Sequence, residues 1–261
     1  MPFQQAEALR YFSFESLDGD DLVQAVFTRA GGVSPAPWNS LNLGGTVGDD
    51  PDRVFENRMR AFQVMGRSPE SLYDAWLVHS AEVVCADAPR DLAQSPPKAD
   101  AILTDRPEVT LFMRFADCVP ILLYDPRRRV IGVAHAGWLG TVRRVAAAAV
   151  AAMSARYGSN PRDIRAAIGP CIAAHHYPVG REVVDQVEGS FGMDAPALLP
   201  SSNGGVQFDL WAANRLVLEQ SGVNEIETAG ICTACHLEDW YSHRGESGKT
   251  GRFGVLLALK E

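Results

Sequence analysis

Three segments each end an apolar run with a side chain able to hold a metal or to attack carbon: Trp76-Leu-Val-His79, Phe115-Ala-Asp-Cys118 and Val133-Ala-His135-Ala-Gly-Trp138. If neighbouring strands bring those ends together, two imidazoles and a thiolate make a ligand set suited to zinc, with a fourth position left for water or substrate. Asp100 and Asp117 are candidates to orient a ligand histidine through its other ring nitrogen. The separations along the chain are too long for any compact zinc-finger rule, so position at strand ends carries the signal. The same residues support a metal-free reading, with Cys118 as a thiolate nucleophile, His135 or His79 as its base and backbone amides as an oxyanion site. A structural reading makes the histidines satisfied core side chains and Cys118 a small buried hydrophobe.

Other constellations are less specific. Cys232-Thr-Ala-Cys235-His236 fits the C-x-x-C-H pattern of covalent haem and half of a zinc knuckle. No second C-x-x-C completes a four-thiolate site, and a structural thiol, or Cys232 beside a substrate loop, is the expectation. The stretch Ser242 to Arg252 lacks the first glycine of a P-loop, because His243 stands there, and is followed by a strand-like run instead of a helix. It remains a glycine-rich loop carrying Arg244, Lys249 and Arg252, able to meet an anion. Phe27 to Ser34 and Ser40 to Gly45 place Arg29 and Asn42 among glycines that let backbone approach a ligand. Gly169-Pro170-Cys171 offers amides and a thiol in the same way. His175 and His176 are adjacent, point opposite ways in an extended segment, and are read as surface.

The elements that must position these groups are short. Strands are expected at 22–27, 82–86, 110–115, 120–124, 130–135, 164–168, 226–231 and 253–259, from apolar or alternating runs bounded by turn residues. The pair 120–124 and 130–135 brackets Asp125 to Arg129 as a hairpin with a basic, solvated tip. Helices are expected over Pro51 to Met65, where Val54, Phe55, Met59 and Phe62 mark a face, and over Gly140 to Tyr157, Val179 to Val187 and Leu210 to Gln220. Asp50 and Asp209 fit as N-caps and Gly158 as a C-terminal stop. Hairpins with irregularly interspersed helices predict an α+β fold.

Composition sets the outer bounds. With 261 residues, 46% hydrophobic and 21% charged, the chain matches ordinary globular usage, which excludes disorder, collagen and coiled coil. A net charge of −8 argues against nucleic acid as a partner, while leaving small anions to local basic loops. The N-terminus does not read as a signal peptide. The apolar helical stretch Val145 to Met153 falls short of the roughly 20 residues of a membrane span. A soluble, cytoplasmic protein without membrane partners is therefore expected, its five cysteines (85, 118, 171, 232 and 235) mostly reduced.

In order and nearly end to end, the segments FTRAGGVS, NSLNLGGTVGDDPDRVFENR, VHS, KADAILT, FADCVPILLYD, VIGVAHAGWLGT, AAIGPCI, FDLWAANRLVLEQSGV and YSHRGESGKTGRFGVLLAL resemble one family. It is the YfiH-like, laccase-domain family, also called multicopper polyphenol oxidase-like, purine nucleoside phosphorylase or peptidoglycan editing factor. The resemblance implies a single domain over residues 1–261, a four-layer α/β/β/α sandwich. It also implies a catalytic metal site from His79, Cys118 and His135, holding zinc, with copper as the alternative. The implied reaction is phosphorolysis of adenosine, inosine and methylthioadenosine, with adenosine deamination as a second activity. Purine nucleoside and phosphate would then be the small-molecule partners, bound by Arg29, Asn42, Gly169, Cys171, Arg244 and Lys249. Trp138 is a core residue or a platform for the purine.

Two alternatives from the same family names are hydrolytic editing of a cell-wall precursor, by Cys118 or a metal-bound hydroxide, and copper-dependent oxidation of phenols. A fourth ligand such as Cys171 or His236 would instead make the metal structural. Leu77 stands where the family often has glutamine, and His243-Arg244 where it often has paired arginines.

Overall fold

In the computed structural model, which describes residues 3–19, 21–202 and 205–261, two six-stranded sheets stack face to face. The strands are β1 (Phe3–Ala6), β2 (Leu9–Phe12), β3 (Leu22–Phe27), β4 (Leu72–Tyr73), β5 (Val83–Cys85), β6 (Ala101–Thr104), β7 (Thr110–Phe115), β8 (Val119–Asp125), β9 (Val130–Ala136), β10 (Arg165–Ile168), β11 (Ser201–Ser202), β12 (Gly205–Val206), β13 (Glu225–Thr228) and β14 (Phe253–Leu259). One sheet runs β1-β2-β3-β14-β7-β4 and the other β13-β10-β8-β9-β6-β5, with β11 and β12 as a separate ribbon. The helices are α1 (Pro51–Val64), α2 (Trp138–Val142), α3 (Val145–Tyr157), α4 (Arg181–Phe191), α5 (Ala195–Leu198) and α6 (Leu210–Gln220).

Strands β8, β9 and β14 are buried at every position and largely apolar because both faces are covered. In β14, Val255 and Leu257 enter the space between the sheets while Leu256 turns toward α1. In β8, Leu122 enters the intersheet space while Ile121 and Leu123 meet the outer helices. Side chains of period two thus feed three cores: α1 against the first sheet, sheet against sheet, and the second sheet against α3, α4 and α6. That is the expected α/β/β/α order.

Strands 22–27, 110–115 and 253–259 and helix 210–220 have the expected bounds. The hairpin of β8 and β9 is present, with Asp125 accepting from the amides of Arg127 and Arg128 at 2.9 and 3.1 Å. Asp50 caps α1 through the Asp52 amide, and Asp209 caps α6 through that of Ala212. Two expectations need correction. The helix expected from Gly140 to Tyr157 is two helices, because Arg144 adopts a left-handed φ of 60°. Its guanidinium donates to Gln220 and Ser190 and lies over Phe191, tertiary contacts that outweigh local helix propensity. In α1, Phe55 is exposed, whereas Asn57 lies in the buried stripe with Val54, Ala61 and Phe62. The turn-rich stretch 194–205 includes residues 203 and 204, which lie outside the described residues. No helix among the described residues is long and apolar enough to cross a membrane.

Asn57 anchors the loop that precedes α1. Its amide donates to Ser34 Oγ, Asn42 O and Ser40 O and accepts from the Val33 amide. Asn57→Ala leaves these buried partners unpaired and is expected to cost about 3 kcal/mol, read from urea unfolding. A change below about 0.5 kcal/mol would show that the loop is held by other contacts.

Candidate functional site

Two of the three metal-binding candidates sit where the chain passes from one sheet to the other. Residues 116–118 connect β7 to β8 through Asp117, at a left-handed φ of 83°, and leave Cys118 at the start of β8. His79, itself left-handed at φ 56°, lies on the crossing from β4 to β5. His135 belongs to β9, opposite Pro120, one residue from the β-partner of Val119. One ligand atom from each of the three lies within 4.8 Å of those of the other two. The His79 and His135 rings are 5.1 Å apart, edge to face.

Asp100, fully buried just before β6, holds this arrangement. Its carboxylate accepts from the amides of Val78, His79 and Ser80 at 3.2, 3.0 and 2.6 Å, from Ser80 Oγ at 2.8 Å and from His135 Nδ1 at 3.0 Å. With Nδ1–H donated to Asp100, the lone pair of His135 Nε2 is left for a metal. Burial disfavours the ionised Asp100, yet the bonds from His135 and Ser80 overcome it and bring its pKa to about 2. Burial also opposes the charged forms of Cys118 and His135. Even so, the thiol is pulled below its ordinary value, chiefly by the His135 charge, and the imidazole is pushed up, first by Cys118 and then by Asp100. Without metal both shifts favour the thiolate–imidazolium form of the pair, and a cation binding there would displace the His135 proton.

The residues fit a metal ion. A Cβ on Gly137 would stand 2.8 Å from Cys118 Sγ and 3.2 Å from His79 Cδ2, so glycine keeps the space between the ligands open. No fourth histidine, cysteine or carboxylate joins the set among the described residues. His79, Cys118 and His135 all line a cavity of about 590 Å³. Its wall also holds Arg58, Arg114, Arg244 and Arg252, with Trp76 and Tyr177. Arg114 pairs with Asp74 at 2.6 Å, and Asp74 also binds Arg90 at 2.7 Å. Arg58 and Arg252 instead donate to backbone carbonyls, Leu43 O and Gly251 O, and neither is in an ion pair among the described residues. Burial lowers the pKa of both, that of Arg58 to about 10.

The sequence-derived binding residues divide. Arg244 lines the cavity, its guanidinium 5.1 Å from the Tyr177 ring centroid. Arg29 does not: it binds Glu246, Asn39 O and Leu237 O at a separate depression. Asn42 is buried and clamps Gly44, Asp49 and the Arg252 amide, so it positions the cavity wall from behind. Gly169 packs against Pro120, Cys171 is a fully buried thiol raised by desolvation, and Lys249 is exposed outside the cavity lining. Trp138 packs against the outer core, whereas Trp76, half exposed, faces the cavity. Asp117 touches neither imidazole; it accepts from Thr233 Oγ1 and the Arg244 amide.

Arg58 and Arg114 did not emerge from the sequence. Arg114 carried a usable signal, a cation inside the apolar strand TLFMRF. His175 and His176 are exposed, as the sequence indicates, but the expectation that they point opposite ways in an extended segment is corrected. They lie on a tight 3-10 turn, Ala174–His176, and group with Cys232 and Cys235 as a second set of candidate ligands.

The sequence model of the family described as "Multi-copper polyphenol oxidoreductase laccase" matches residues 23–260. The chain belongs to this family. Among relatives, a purine nucleoside phosphorylase of Deinococcus radiodurans is 39% identical over 90% of this chain and 88% of its own length. Purine nucleoside phosphorylase YlmD of Bacillus subtilis is 34% identical over 92% and 90%. The crystal structure of YlmD from Geobacillus stearothermophilus superposes with a TM-score of 0.92 at 33% identity, covering 100% of this chain and 99% of that one. That of the Bacillus licheniformis hypothetical protein YfiH gives 0.91 at 32% identity, covering 99% of each. In this member of the laccase family, imidazole and thiolate donors suit zinc and copper alike.

Two outcomes follow from the Asp100 network. Asp100→Asn puts an amide donor among donors and is expected to cost about 3 kcal/mol in urea unfolding and to weaken metal about 10- to 100-fold in chelator competition; wild-type values in both would remove Asp100 from its organising role. In metal-free protein, alkylation at Cys118, followed by peptide mass mapping, should have its pH midpoint below the roughly 8.5 of a free thiol. The reaction falls off as acid protonates the thiolate, and a midpoint at or above that value would mean an unpolarised pair.

Proposed function

We propose that this chain is a zinc-dependent purine nucleoside phosphorylase acting on adenosine, inosine and methylthioadenosine, with adenosine deamination as a second activity, and that it works in the cytoplasm as a single domain over residues 1–261. The observation that carries the reading is one cavity in which the His79, Cys118 and His135 ligand set and the unpaired cations Arg58 and Arg252 face the same space. The relatives named purine nucleoside phosphorylase support it.

Phosphorolysis breaks the bond from the anomeric carbon to the purine nitrogen and forms one from that carbon to a phosphate oxygen. Arg58 and Arg252, fixed by backbone carbonyls and still protonated at neutral pH, would hold the phosphate with guanidinium forks suited to its oxygens. Tyr177 and Trp76 offer aromatic faces for the purine, and Arg244, stacked on Tyr177, adds positive charge where the leaving base becomes electron-rich. His79, Cys118 and His135 would hold the ion, which supplies Lewis acidity at its open position when bound. Holding both reactants in one cavity supplies much of the rate.

The polarised Cys118–His135 pair favours one second reading, hydrolytic editing of a cell-wall precursor with Cys118 as nucleophile. The decisive experiment follows base release from inosine and adenosine with and without phosphate. Release should require phosphate, disappear in His79→Ala, and show a phosphate KM raised about tenfold or more in Arg58→Ala. Phosphate-independent release, or full activity after exhaustive chelation with sensitivity to thiol alkylation, would overturn the phosphorylase in favour of Cys118.

A further inference from the structure

We propose that the chain carries a second metal site, a tetrahedral two-thiolate, two-imidazole centre for a zinc-type ion, formed by His175, His176, Cys232 and Cys235. These four share no residue with the cavity set, and one ligand atom from each lies within 4.8 Å of all the others. The contacts have the dimensions of a coordination shell. Zinc–sulfur and zinc–nitrogen bonds of about 2.3 and 2.0–2.1 Å at tetrahedral angles put sulfur and nitrogen about 3.6 Å apart. His175 Nε2 lies 3.2 Å from Cys235 Sγ, and His176 Nδ1 lies 3.6 Å from Cys232 Sγ and 3.5 Å from Cys235 Sγ. A single ring nitrogen equidistant from two sulfurs is poorly explained by one thiol hydrogen bond, since a neutral imidazole nitrogen either donates or accepts in one direction.

The local sequence explains how the shell forms. Cys232-Thr-Ala-Cys235 closes on itself through a Cys235 N–H to Cys232 O bond of 3.2 Å, turning both sulfurs to one side. The missing half of a zinc knuckle comes from the 3-10 turn Ala174–His176, where adjacent side chains no longer oppose each other as in a strand. A parallel bridge between Cys171 and Cys232 brings the two turns together. The Ala173 amide donates to Cys232 Sγ at 3.3 Å, the support a buried thiolate needs. Both histidines and Cys235 are exposed, leaving an ion an open route in.

The centre also reaches the cavity. Thr233, between the two cysteines, donates through its hydroxyl to Asp117 at 2.7 Å, and Asp117 in turn accepts from the Arg244 amide at 2.6 Å. An ion that locks this turn thereby fixes the residue preceding Cys118 and the base of the Arg244 loop.

The test is independent of any activity. Full-length protein prepared with zinc under reductant and freed of loose metal should contain two zinc ions per chain by elemental analysis. Cys235→Ser and His79→Ala should each retain one, and the double variant none. Because Cys235 is exposed, its substitution leaves the core packing intact; His175→Ala checks the same loss by another ligand. Cobalt added to the His79→Ala protein should give a tetrahedral ligand-field spectrum with thiolate charge-transfer absorption that Cys235→Ser abolishes. Wild-type metal content in both Cys235→Ser and His175→Ala, one ion in the wild type that vanishes with His79, or recovery of Cys232 and Cys235 as a disulfide under reductant would each overturn the site.

Discussion

A single buried carboxylate, that of Asp100, ties the two sheets' crossing segments to the candidate metal centre. It is isolated from water and would be costly to ionise alone, yet five donors converge on it. Three are successive amides of Val78, His79 and Ser80, which forces that segment to curl around the carboxylate and explains why His79, not a glycine, occupies a left-handed conformation. The fifth donor is His135, so the bonds that shape the loop also set the tautomer of the ring across from it. The sign of the linkage is that of a depressed acid. Its contribution is complete above the unfolded carboxylate's pKa of about 3.9 and is lost as pH falls through the folded value of about 2.

Charge is distributed against the average of the chain. The net charge is −8, but the cavity wall gathers four arginines. They are not equivalent. Asp74 pairs with both Arg114 and Arg90, offsetting one of their two charges and making that corner a fixed strut, whereas Arg58 and Arg252 are aimed by neutral carbonyls and keep their charge for whatever enters. A low-dielectric wall strengthens such cations, which is why an acidic protein can still receive an anion at one point on its surface.

Much of this was legible in the amino-acid order. The runs ending at His79, Cys118 and His135 announced themselves because a polar ligand closing an apolar strand stands out, and the apolar runs of β3, β7 and β14, bounded by turn residues, were marked enough to fix their bounds. What failed did so for local reasons. Arg29 and Asn42 sit among glycines, which suggested ligand approach, but the nearby carbonyls and carboxylates belong to the protein itself. Adjacent His175 and His176 are poor joint ligands only if the backbone is extended, and a 3-10 turn removes that premise. Arg144 breaks a helix through contacts with Gln220, Ser190 and Phe191 that no local pattern contains. Short β4 and β6 carry too few residues to show a period, although β6 delivers Asp100.

Gly137 shows how tightly the centre is framed from the opposite side. Its φ of −71° is open to any residue, so conformational freedom is not the reason for glycine here. Space is: a methyl would press on the Cys118 sulfur at 2.8 Å, and the sulfur cannot retreat without moving the start of β8, paired along its whole length with β9. Nor can Asp117 yield, because Thr233 and the Arg244 amide hold its carboxylate from the other flank. Cys118 is therefore fixed between a glycine that leaves room for one ion and an aspartate anchored to the Cys232–Cys235 turn. The cysteine end of the inner ligand set is thus tied through Asp117 to that outer turn, while its two histidines are held by Asp100.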